Sequence, residues 1–170
     1  MFTSRSLLTG ALLTLVLAVL APSALAKTSP LAGCTLPPLD TSAATHHAVG
    51  FAANSITATD DWEAVQLTCK SGATKTVKIT AKTTFHATGG STATRGKLTG
   101  PIVLGYSFGA TQTGSFRLAS QSSYTCTGGT CELTGTLARG GKRVGTLTGR
   151  FNRTERTYIQ KVMADGVLTD

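Results

Sequence analysis

The 170-residue chain is short of acid, short of aromatic rings and, beyond its first 20 residues, without a long apolar run. Eight acidic residues stand against 16 Lys and Arg, and aromatics make up 6% of the sequence, with Trp62 the single tryptophan. Each shortage removes a class of function. A membrane-spanning helix needs about 20 apolar residues, and no later stretch approaches that length. Few carboxylates leave no pair placed for general acid–base work. Few aromatics argue against a stacking surface for single-stranded nucleic acid, for which Phe85 and Phe116 are the only nearby candidates. The three histidines, His46, His47 and His86, all precede Ser107. That serine sits in Gly105-Tyr106-Ser107-Phe108-Gly109, the G-x-S-x-G form of a hydrolase elbow, behind an apolar strand. The elbow needs a helix next, then an acid and a histidine, yet Thr111-Gln112-Thr113-Gly114 starts no helix and no histidine follows. Without a base the hydroxyl stays unactivated, so no catalytic residue is assigned and the chain is read as a non-enzyme. Four cysteines and three histidines lack zinc-knuckle spacing, and no metal or cofactor is expected.

The N-terminus carries an export signature. Arg5 precedes the apolar run Leu7 to Leu20, and Ala24-Leu25-Ala26 is a small-x-small cleavage site. Residues 1–26 therefore read as a secretory signal peptide and 27–170 as a single β-rich domain, periplasmic, extracellular or at the cell surface. Leu31-Ala32-Gly33-Cys34 has the form of a bacterial lipobox, in which the cysteine is acylated. Thirteen residues, including Lys27 and two prolines, separate Leu20 from Cys34, where a lipobox abuts the apolar run. Acylation would also leave an odd cysteine, so a disulfide at Cys34 is the favoured reading.

What is abundant is Thr, Gly, Ala and Ser, a composition suited to strands and tight turns. Val65, Leu67 and Cys69 alternate with polar residues, a turn follows at Lys70-Ser71-Gly72-Ala73, and Val77 and Ile79 resume the alternation. Thr88-Gly89-Gly90-Ser91 reads as a loop. Pro101 opens a strand in which Ile102, Leu104, Tyr106 and Phe108 share a face, and Phe116 and Leu118 mark another. Leu133 to Leu137 and Val144 to Leu147 flank a hairpin turn at Arg139-Gly140-Gly141-Lys142. The expected class is all-β, an antiparallel sandwich or barrel of short strands. Thr41 to Ala53 has room for a helical turn. Thr154 to Ala164 fits a short C-terminal helix, with Ile159, Val162 and Met163 at helical spacing, and fits a strand equally.

Four cysteines in an exported chain imply two disulfides. If Gly128-Gly129 form a two-residue turn, Cys126 and Cys131 become a close cross-strand pair within disulfide reach, which leaves Cys34 for Cys69. A rival pairing, Cys69 with Cys126, follows the immunoglobulin pattern, since Tyr124 stands two residues before Cys126. The tryptophan expected after the first cysteine is missing there, because Trp62 precedes it.

Charge is unevenly spread. Asp40, Asp60, Asp61 and Glu63 precede Ala64, whereas Ala64 to Thr130 holds Lys70, Lys75, Lys78, Lys82, Arg95, Lys97 and Arg117 and no acid. These seven are the candidate residues for an anionic ligand. The early Cys34, then Val65-Gln66-Leu67-Thr68-Cys69, a short turn and an alternating strand to Ile79 resemble the secreted spore coat protein U and pilin-like subunits of bacteria, with a looser match at Ile102 to Phe108. The resemblance implies an Ig-like or pilin-like sandwich, a structural role, and envelope or fibre subunits as partners through strand exchange or self-association. Two functions follow: a disulfide-stapled structural or adhesive envelope subunit, or a secreted module that binds a polysaccharide, nucleic acid or acidic protein through the basic 64–131 region.

Overall fold

Alternating side chains on long Thr-rich segments give a protein built almost wholly of antiparallel strands. The computed structural model describes residues 31–88, 93–109 and 112–164. The strands are β1 (Cys34–Thr35), β2 (Leu39–Asp40), β3 (His46–Ala52), β4 (Ser55–Cys69), β5 (Thr74–Thr88), β6 (Arg95–Phe108), β7 (Gln112–Thr127), β8 (Thr130–Arg139), β9 (Lys142–Asn152) and β10 (Thr157–Ala164). A 3-10 turn at Thr41–Ala43 supplies the helical turn foreseen in that segment. Residues 1–26, read above as a signal peptide, and 89–91, read above as part of a loop, lie outside the described residues. No helix among the described residues is long and apolar enough to cross a membrane.

From β3 to β10 the chain is an unbroken meander in which every strand pairs with the next. All strands belong to one sheet. The all-β, antiparallel class is as expected, and it is built as a single curled sheet. The single sheet curls until its two ends face each other across one core. Phe85 of β5 meets Tyr158 of β10 edge to face, with ring centroids 6.2 Å apart. The guanidinium groups of Arg153 and Arg156 donate to the carbonyls of Ala53 and Phe51, each at 3.4 Å, joining the β9–β10 turn to the β3–β4 hairpin.

The N-terminal segment straps the remaining gap. β1 pairs with the end of β4, Cys34 opposite Cys69, and β2 pairs with β10 through Lys161 and Val162. Leu31, Leu36 and Leu39 of this strap are buried, and its Asp40 carbonyl accepts from Trp62 Nε1 at 3.0 Å. Both disulfides follow the close-pair reading, Cys34–Cys69 and Cys126–Cys131, with Cα atoms 3.7 and 3.8 Å apart. Cys69 therefore does not bond Cys126, and Cys34 is engaged as a disulfide partner.

A β-bulge sets the phase of β4. Trp62 pairs with Ile79 and Val65 with Val77, so Glu63 and Ala64 together oppose one residue. Even-numbered residues point inward before it (Ile56, Ala58, Asp60, Trp62) and odd-numbered ones after it (Val65, Leu67, Cys69). Two sequence expectations change. Pro101 lies inside β6 rather than opening it; the β5–β6 pairing skips from Thr83–Ile102 to His86–Thr99, so the missing proline N–H breaks no ladder bond. Residues 157–164 form strand β10 and no helix, because Tyr158, Gln160 and Val162 all face the core at strand spacing.

Candidate anion-binding surface

An up-and-down meander sends alternate connections to opposite ends of the molecule. The β4–β5, β6–β7 and β8–β9 connections share one end. That end carries Lys70 in the first connection, Lys75 just after it at the start of β5, and Arg139, Lys142 and Arg143 on the strand ends of β8 and β9 that flank the third. No acidic residue lies in these connections. Two of the cations rest on aromatic rings: Lys75 Nζ is 5.7 Å from the Phe108 centroid and Arg139 Cζ is 5.3 Å from that of Phe116. Phe116 in turn stacks on Tyr106, centroids 5.1 Å apart.

The seven basic residues singled out in the sequence are therefore divided. Lys70 and Lys75 stand at this end. Lys82 and Arg117 flank Val103 in one row on the outer wall. Lys78 is paired with Glu63 at 2.6 Å beside the bulge; hydrogen bonding to Glu63 and that residue's charge hold its ammonium above the ordinary lysine range. Arg95 and Lys97 lie towards the opposite end, opposite Thr125 and Ser123. Arg117 meets instead a residue that sequence order had set apart. It lines, with Arg143, an open groove of about 580 Å³ walled by Ala119, Gln121, Thr136 and Ala138. Arg139, Lys142 and Arg143 were missed because they follow Glu132, where the acid-free run ends. The signal was present all the same, since a hairpin at 139–142 must share an end with the turn at 70–73. Phe85 and Phe116, the candidate stacking rings, are buried in the core.

A second polar constellation lies inside the curl. Asp60, fully buried, receives His47 Nδ1 at 2.5 Å on one oxygen and Gln160 Nε2 at 2.9 Å on the other. Gln160 also donates to Thr83 Oγ1 at 2.9 Å and accepts from the Tyr158 hydroxyl at 2.8 Å, while its backbone N–H donates to Thr41 Oγ1. The cluster thus joins β3, β4, β5, β10 and the strap. Burial, with Asp60 adding to it, pushes the Tyr158 hydroxyl well above the usual tyrosine range. Every buried side-chain polar atom among the described residues has a partner, so the cluster is a satisfied tie across the sheet ends.

Ser107 is an ordinary residue of β6, opposite Lys78 and Thr113, and the chain passes from it towards the next strand rather than into a helix. No group of three or more His, Cys, Asp or Glu placed to hold a metal ion occurs among the described residues. No family model, curated protein or solved structure matches this chain.

Proposed function

We propose that the protein is an exported, non-catalytic binding module for anionic ligands, stapled by its two disulfides. The observation that carries this reading is the convergence of Lys70, Lys75, Arg117, Arg139, Lys142 and Arg143 on one end and its adjoining wall, with no acid in the connections there. Repulsion among like charges makes such a cluster costly unless a counter-charge is met, and a polyanion that meets it releases condensed counterions. The test is binding of inorganic polyphosphate across a salt series. Affinity should fall linearly in logarithmic plots, and Lys142→Gln/Arg143→Gln should weaken it by roughly fivefold per cation, from about 1 kcal/mol each. Arg150→Gln/Lys161→Gln, on the wall of β9 and β10, is the control. Salt-independent binding, or equal losses from the two pairs, would sink the reading.

One feature favours the structural-subunit reading as a second. Among the described residues β3 pairs with β4 alone, and His46–Ala52 carries none of the lysines or prolines that ordinarily blunt a sheet edge. Strand addition at β3 would join copies or partner subunits. Sedimentation over a concentration series checks this: a strictly monomeric protein removes it.

A further inference from the structure

Resting on the anion-binding reading, we propose that the ligand is a linear acidic polysaccharide lying along β7, in a groove that runs from Arg117 and Arg143 to Lys97. The 580 Å³ groove at the Arg117–Arg143 end and a second, of about 360 Å³, share Gln121 and Thr136, which are paired across β7 and β8. The second is lined further by Lys97, Thr99 and Ser123. The two adjoin on the outer wall, and we take them together as one channel. Outward residues of β7 alternate along it as Arg117, Ala119, Gln121 and Ser123, a run of about 20 Å at strand rise.

The order of side chains along the channel selects the ligand. Cations stand only at the two ends, and the middle offers an amide and hydroxyls. Nothing acidic among the described residues lines either part. A DNA or polyphosphate backbone offers that middle stretch acceptor oxygens but no hydroxyls along its length to pair with an amide and hydroxyls. Single-stranded nucleic acid also wants exposed rings to stack on, and Ile159 is the only large apolar side chain standing exposed among the described residues. Sugar rings bearing carboxylates and free hydroxyls match both features. Arg117 and Arg143 take carboxylates in forked hydrogen bonds, Gln121, Thr136, Thr99 and Ser123 meet hydroxyls, and the small Ala119 and Ala138 let a ring approach the sheet.

The experiment compares oligogalacturonate, inorganic polyphosphate and a short DNA duplex as probes, by calorimetry at fixed salt. Gln121→Ala/Thr136→Val alters no charge and touches only outward positions. It should weaken oligogalacturonate binding about tenfold while changing polyphosphate binding less than twofold. Arg117→Gln/Arg143→Gln should weaken oligogalacturonate more than Lys70→Gln/Lys75→Gln does. Unchanged oligogalacturonate binding by the Gln121/Thr136 variant, or tighter binding of the duplex than of the glycan, would overturn the groove while leaving a general anion site standing. Failure of all three probes to bind the unaltered protein overturns both readings.

Discussion

Breaking Cys34–Cys69 should cost far more than breaking Cys126–Cys131, although both bridge adjacent strands. The first closes a loop with a sequence separation of 35 residues, the second one of 5. Loop-closure entropy in the unfolded chain then gives about 3.8 kcal/mol for the first and about 2 kcal/mol for the second. Against a total stability of about 5–15 kcal/mol, the larger loss is a substantial fraction. The measurement is urea unfolding of the oxidised protein beside Cys34→Ala/Cys69→Ala and Cys126→Ala/Cys131→Ala. Trp62 provides a local probe, because it is the only tryptophan and its indole N–H is bound to the strap carbonyl of Asp40. In the Cys34/Cys69 variant its fluorescence should change at lower urea than the far-ultraviolet dichroism of the sheet, as the strap lifts first. In the other variant the two signals should coincide. Equal destabilisation of the two variants, or a larger loss at Cys126/Cys131, would refute the loop-length argument and with it the view of the strap as the closing element.

Three further outcomes follow from the interior. A double-mutant cycle of His47→Ala and Asp60→Ala should return a coupling of about 1–3 kcal/mol, since one hydrogen bond links a half-exposed ring to a fully buried carboxyl; a coupling near zero contradicts the tie between β3 and the core. Tyr158, held neutral by burial, ionises first in the unfolded chain as pH rises. Its contribution is complete below the unfolded value of about 10 and is lost above it, with a slope approaching 1.4 kcal/mol per pH unit; Tyr158→Phe should flatten alkaline denaturation in that range, and an unchanged slope would refute the assignment. Gly135→Ala should destabilise by about 1–3 kcal/mol, because a Cβ there would stand 2.5 Å from the Gln121 carbonyl and 2.6 Å from the Ser122 Cα; thermal unfolding equal to that of the unaltered protein would show that β7 and β8 yield.

The sequence was most legible where one rule acted alone. Alternation over 65–69 and 102–108 located strands and their inward faces, and the turn at Gly128-Gly129 brought Cys126 opposite Cys131. Both glycines take positive φ there, 58° and 87°, as a tight hairpin turn demands. It was least legible where the interior is polar. Asp60 in β4 and Gln160 in β10 interrupt the apolar rhythm of their strands, so β4 was recognised only from Val65 onward and β10 was read equally as helix. The bulge at Glu63 compounded this by reversing the phase within one strand. Glycine carried a constraint that alternation does not show: Gly135 lies mid-strand where its neighbour's backbone leaves no room for a side chain. Half of the candidate site was visible as basic residues, but grouping them by position along the chain joined Lys70 to Lys97 when the folded chain joins it to Arg143.

The strap also sets the order in which the molecule can be completed. Its partners are β4, made early, and β10, made last, so a chain emerging N-terminus first holds Leu31, Leu36 and Leu39 ready long before their site exists. Cys34 and Cys69 both emerge while β5 to β10 are still to come. A bridge formed at that stage moors the strap beside its final position and shortens the search that remains once β10 arrives. Oxidation before synthesis ends would then be a step in assembly as well as a lock on the finished protein.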